Sequence, residues 1–185
     1  MNIEDELLQL ARERENQTQA GLQEMPPFAP DYLQRQLRLY LVSQAENYDR
    51  MKHPDDRVPQ LTRPQDDLYK LACSKAEFSD GGLLSFNIQL EESRRGWLLK
   101  GFNFELQLPS SRNINMVRIE LNSGASRDPL RVPRCHFHLD DCQAHIPFPI
   151  MSPRLILSLI CEHIEPDFGV SASHSGAGRR TRHTP

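Results

Sequence analysis

Between Leu84 and Leu121 apolar and polar residues alternate with the period of a strand. Leu84, Phe86, Ile88 and Leu90 interleave with Ser85, Asn87, Gln89 and Glu91. Phe102, Phe104, Leu106 and Leu108 interleave with Asn103, Glu105 and Gln107, and Val117, Ile119 and Leu121 with Arg118 and Glu120. Successive side chains on a strand point to opposite faces, so each run predicts a strand with one buried face. Glu92-Ser93-Arg94-Arg95-Gly96 turns the first run into the second. Trp97 and Leu99 have the opposite parity to Phe102, which predicts a bulge near Lys100-Gly101.

Helical spacing replaces alternation at both ends. Ile3, Leu7, Leu8, Leu10 and Ala11 form a short apolar stripe in a helix expected over residues 2–24, and Met25-Pro26-Pro27-Phe28-Ala29-Pro30 ends it. Leu33, Leu37, Tyr40, Leu41 and Ala45 predict a second helix from Pro30 to about Met51. Ser152 caps and Pro153 opens a last helix, with Leu155, Ile156, Leu159, Ile160 and His163 expected on its buried face. The implied organisation is an N-terminal helical arm over residues 1–52 and a Pro-rich linker over 53–67. An α+β domain follows over 68–165, then a disordered, weakly basic tail over 166–185 containing Arg179, Arg180 and Arg182. The expected fold is a mainly antiparallel sheet with the C-terminal helix on one face.

Composition narrows the class. With 38% hydrophobic residues and a mean hydropathy of −0.59, the chain leans polar, but its apolar residues cluster in the alternating region. A net charge of −3 gives no global argument for nucleic acid. No window approaches the roughly 18 apolar residues of a membrane span. The first residues, Met-Asn-Ile-Glu-Asp-Glu, are acidic and carry no apolar stretch, so no secretory leader is expected. The four cysteines, Cys73, Cys135, Cys142 and Cys161, then read as reduced thiols of a cytoplasmic protein.

Candidate chemistry concentrates in residues 132–140, Val-Pro-Arg-Cys-His-Phe-His-Leu-Asp. As a strand this run points Cys135, Phe137 and Leu139 one way and Arg134, His136, His138 and Asp140 the other. The second set joins Asn87, Gln89, Asn103, Glu105, Arg118 and Glu120 on one polar sheet face. Pro147 and Pro149 hold the following segment extended and fix His145 beside this strand.

Three readings of the pair stay open. His136 and His138 could act as general acid and base on a phosphodiester, with Arg134 or Arg118 stabilising negative charge and Asp140 or His145 orienting an imidazole. They could ligate a metal together with Asp140 or His145. They could simply pair with Glu105 or Glu120 across strands. Cys135, His138, Cys142 and His145 have zinc-like spacing, but Cys135 and His138 belong to opposite faces. Cys161 and His163 read as structural, since residues two apart on a helix do not face each other. No Gly-rich phosphate loop, HExxH or Gly-x-Ser-x-Gly occurs, and the sequence by itself assigns no cofactor and no metal.

The succession Val117–Asn122, Cys135-His136-Phe137-His138, His145-Ile146-Pro147-Phe148 and the helix Ser152–His163 resembles small prokaryotic toxins of the TumE type, over roughly residues 82–165. The resemblance implies a toxin–antitoxin effector partnered by a nucleotidyltransferase-like antitoxin. The expectation is a small cytoplasmic toxin- or defence-type protein acting on RNA or a nucleotide, with His136 and His138 exchanging protons and Arg134 binding phosphate. The rival is a non-catalytic interaction module that docks a partner, or a second copy of itself, through Leu33, Leu37, Tyr40 and Leu41 of the arm. Neither reading involves a membrane.

Overall fold

A computed structural model describes residues 3–24, 29–55, 58–94, 96–109, 114–123, 132–140, 142 and 144–164. The elements in chain order begin with the helices α1 (Ile3–Glu24) and α2 (Pro30–Glu46). The strands β1 (Gln60–Thr62), β2 (Leu68–Glu77), β3 (Leu83–Ser93), β4 (Gly96–Gln107), β5 (Met116–Leu121), β6 (Cys135–Leu139) and β7 (Ile146–Pro147) follow, and α3 (Pro153–His163) closes the fold. The strands form one seven-stranded sheet in which spatial order equals chain order, and every neighbouring pair is antiparallel. The fold is α+β, as the sequence predicts.

Alternation places Phe86, Ile88, Phe104, Ile119 and Cys135 on one buried face, where they join a single hydrophobic core. The expected bulge is present: Gln89 pairs with Gly101 and Leu90 with Leu99, which leaves Lys100 as the extra residue.

The N-terminal region departs from an arm set apart by a linker. Leu33, Leu37 and Leu41, one helical turn apart, are fully buried in the same core as the sheet. Burying one such leucine contributes about 1.5–3 kcal/mol, so α2 belongs to the domain. Tyr40 donates a 2.5 Å hydrogen bond to Glu162 Oε1 of α3, and the Arg154 guanidinium lies 3.6 Å from the centre of the Tyr40 ring. Arg50 Nη1 reaches the Cys161 carbonyl at 2.6 Å. The four side chains expected to dock a partner are thus occupied within the chain. The expected linker contains β1, which pairs with β2, and α2 ends at Glu46 rather than Met51.

The buried face of α3 is also rotated from expectation. Ile156, Leu157, Ile160 and Cys161 face the core, whereas Leu155 is 54% exposed. Only Ser158 interrupts the apolar run from Leu155 to Cys161, so periodicity could not choose the face; packing on the sheet does. The cap is as expected, with Ser152 Oγ accepting from the Leu155 N–H at 3.3 Å.

The expected C-terminal tail and most of the loop before β6 lie outside the described residues. Among the described residues, no helix is long and apolar enough to cross a membrane.

Candidate functional site

β6 presents His136 and His138 to the polar side of the sheet, as the alternation requires. In the β5–β6 register Glu120 pairs with His136 and Arg118 with His138. The chain then returns as β7, with Pro147 opposite His136, and this places His145 over the pair. The three imidazoles pack edge to face, with ring centres 4.9 Å apart for His136–His138, 4.7 Å for His136–His145 and 4.4 Å for His138–His145. One ring nitrogen from each lies within 4.8 Å of those of the other two.

Local hydrogen bonds fix which nitrogens are free. His136 Nδ1 lies 2.6 Å from the Pro133 carbonyl oxygen, which can only accept, so Nδ1 carries the hydrogen. The lone pair of the neutral ring is then on Nε2, a buried atom without a hydrogen-bond partner. His138 Nδ1 is turned to the Cys142 carbonyl at 3.4 Å, a weaker contact of the same sense. His145 Nδ1 is also buried and unpartnered. Imidazoles anchored by one nitrogen to a carbonyl, with the other left bare, have the second-shell pattern of metal-ligating histidines.

Glu120 completes the group. Its Oε2 lies 3.4 Å from His136 Nε2 and 3.9 Å from His138 Nε2. Adjacent ligands of a tetrahedral zinc ion, each bound at 2.0–2.1 Å, are separated by about 3.3 Å. The Glu120–His136 spacing already matches that edge. His136 is the deepest of the group, with side-chain exposures of 1% for His136, 11% for His138 and 23% for Glu120, and His145 is partly buried.

The carboxylate and the imidazoles perturb one another. The Glu120 carboxyl is held below its usual range, chiefly by His136, with Arg118 and His138 adding to the effect and burial opposing it. The His145 imidazole is pushed below its ordinary value by burial first, then by the neighbouring histidines, with Glu120 acting against the shift.

Of the candidate residues, the structure brings together His136, His138 and His145 but not Arg134 or Asp140. Arg134 precedes β6, where alternation no longer applies, and its guanidinium is held by Gln19 of α1 and by the Asn122 carbonyl at 3.2 Å. Asp140 follows β6 with a φ of 51° and accepts from the N–H groups of Asn115 at 2.6 Å and Met116 at 2.9 Å. Arg118 remains near the cluster, 3.1 Å from Glu105 Oε2 and 3.7 Å from Glu120 Oε1. The zinc-like set beginning at Cys135 does not assemble, because Cys135 is buried in the apolar core. Glu120 was expected only as a cross-strand partner of the histidines, as an alternative to Glu105, and not as a member of a ligand set; the register of β5 against β6 is what selects it. Compared with family models, curated proteins and solved structures, the chain finds no significant match.

Proposed function

We propose that the chain binds one divalent first-row metal ion through His136, His138, His145 and Glu120. The observation that carries this reading is the convergence of three imidazoles, two of them facing the Glu120 carboxylate, with two of the ring nitrogens buried and unpartnered. A buried polar atom without a partner costs about 1–3 kcal/mol, and coordination would relieve two such costs at once. Imidazole and carboxylate donors suit zinc, and also iron, nickel and copper. Glu120 is partly exposed and faces only two of the three imidazoles, which makes it the ligand best placed to yield to water or substrate. Its exchange would leave a three-histidine ion with an open position, the arrangement used for hydrolysis.

Metal analysis of tag-free protein, with calorimetric titration of zinc, tests the proposal. One equivalent should bind, and His138→Ala or His145→Ala should weaken binding by at least about tenfold, the lower range for losing even an outer-shell partner. Binding unchanged in both variants would overturn it.

A second reading keeps the same face but no metal: acid–base cleavage of RNA or a nucleotide by His136 and His138, in the manner of a small toxin. The edge-to-face contact of their rings, 4.9 Å between centres, favours it. RNA cleavage that persists in EDTA and disappears in His138→Ala would select this reading over the first.

A further inference from the structure

Glu120 holds two neighbours at once. Its Oε2 lies 3.4 Å from His136 Nε2 and 3.9 Å from His138 Nε2, and its Oε1 lies 3.7 Å from Arg118 Nε. One carboxylate thus spans the gap between the imidazoles and a guanidinium. Register puts Arg118 there, because it pairs with Glu105 on β4 and with His138 on β6. Glu105 Oε2 accepts from Arg118 Nε at 3.2 Å and from Nη2 at 3.1 Å, which fixes the plane of the guanidinium.

A guanidinium has more N–H donors than these contacts use. Nε and Nη2 face the two carboxylates and the Met116 sulfur, and among the described residues Nη1 makes no hydrogen bond or ion pair. Nη1 is not sealed either, for the Arg118 side chain is 33% exposed. Ligating imidazoles are neutral, so a divalent ion and Arg118 together outweigh Glu105 and Glu120. The loaded site is net positive and favours an anion over a neutral or cationic ligand.

We propose that the exchangeable position of the metal site takes a small oxyanion, one oxygen replacing Glu120 on the ion and another pairing with Arg118. The inference rests on the metal reading and names the ligand class of that site. Glu120 is the internal version of such a ligand, with one oxygen towards the imidazoles and the other towards the guanidinium. A carboxylate and a phosphate both offer a pair of oxygens to the fixed fork of an arginine. Chloride offers a single atom and cannot span the gap. Arg118 is then a ligand-binding residue, and Glu105 positions it.

The test uses the full-length chain loaded with cobalt(II), whose visible absorption reports the ligands of the ion. Cobalt stoichiometry is read first, and acetate, inorganic phosphate or chloride is then added at constant ionic strength. Acetate or phosphate should change the spectrum saturably at millimolar concentration, and chloride should not. A response to acetate alone identifies a carboxylate as the ligand, one to phosphate alone a phosphate, and one to both the shared oxyanion chemistry. Arg118→Gln should keep the cobalt spectrum and weaken binding of the responding anion about tenfold or more, the effect of losing a charge-assisted hydrogen bond. Glu120→Ala removes the internal competitor and should bind that anion more tightly than the wild type. The two variants alter different groups, so one that fails to fold leaves the other to decide. No response to either oxyanion, an equal response to chloride, or wild-type anion affinity in a folded variant overturns the proposal. A folded Arg118→Gln chain that no longer loads cobalt assigns Arg118 to the architecture of the site and overturns it as well. Cobalt bound without an oxyanion response leaves the metal reading standing, whereas a chain that binds no cobalt overturns both.

Discussion

Asp140 and Met116 clasp each other at the end of β5 and β6. The Asp140 N–H donates to the Met116 carbonyl at 2.8 Å, and Asp140 Oδ1 accepts from the Met116 N–H at 2.9 Å. Because Oδ1 also takes the Asn115 N–H at 2.6 Å, one carboxylate closes the strand pair that carries His138.

Asp140→Ala should therefore destabilise the chain by about 1–3 kcal/mol, from two lost acceptor contacts and a side chain ill suited to positive φ. Asp140→Asn, which keeps an acceptor and tolerates that backbone, should lose less. Urea unfolding of the two variants measures the difference, and zinc titration of Asp140→Asn should give nearly wild-type affinity. An Asn variant that folds normally but binds no metal would place Asp140 in the site instead.

Acid should weaken the metal-free fold in two stages. A histidine in the unfolded chain binds its proton near 6.5, whereas the folded His145 value lies lower. Below about pH 6.5 the unfolded state thus holds more protons, and stability falls until the pH has passed the folded value. Glu120 follows the same sign at lower pH: its contribution is complete above about 4.3 and is lost as the pH drops through its depressed folded value. Thermal melts in EDTA from neutral to acid pH should show both stages, and His145→Asn should remove the first. An identical profile in that variant would mean that another group causes it.

Thiol chemistry should separate one cysteine from the other three. Burial raises Cys73 to about 11 and both Cys135 and Cys161 to about 12, far from the thiolate form at neutral pH. Cys142 is exposed. Iodoacetamide should modify Cys142 alone in the native protein and all four cysteines in denaturant, as read by peptide mass spectrometry. Native labelling at Cys135 would contradict the burial of the β6 apolar face.

The sheet was legible because half its faces are apolar and half polar, and alternation then fixes orientation without any knowledge of partners. The same rule placed His136, His138 and Glu120 on one side. It failed one residue beyond each end of β6: Arg134 turns to Gln19, 115 positions away in the chain, and Asp140 turns back to β5. Sequence carries no sign of such distant contacts. The stripe of Leu33, Leu37 and Leu41 was visible, but an amphipathic helix reads alike whether its apolar side meets its own sheet or another molecule. β1 escaped notice because three residues between prolines are too few to show a period. His145 was expected beside the pair because Pro147 limits the path of the chain, yet its convergence with both rings follows only from the β6–β7 pairing.

The outer strands of the meander have one more effect. β1 has three residues, and β7 has two, one of them Pro147, which lacks an N–H. Long, regular rims invite strands of other molecules to add on; these rims offer almost no ladder to extend. The fold can therefore carry a polar row of amides and imidazoles across its sheet with little risk of polymerising edge to edge.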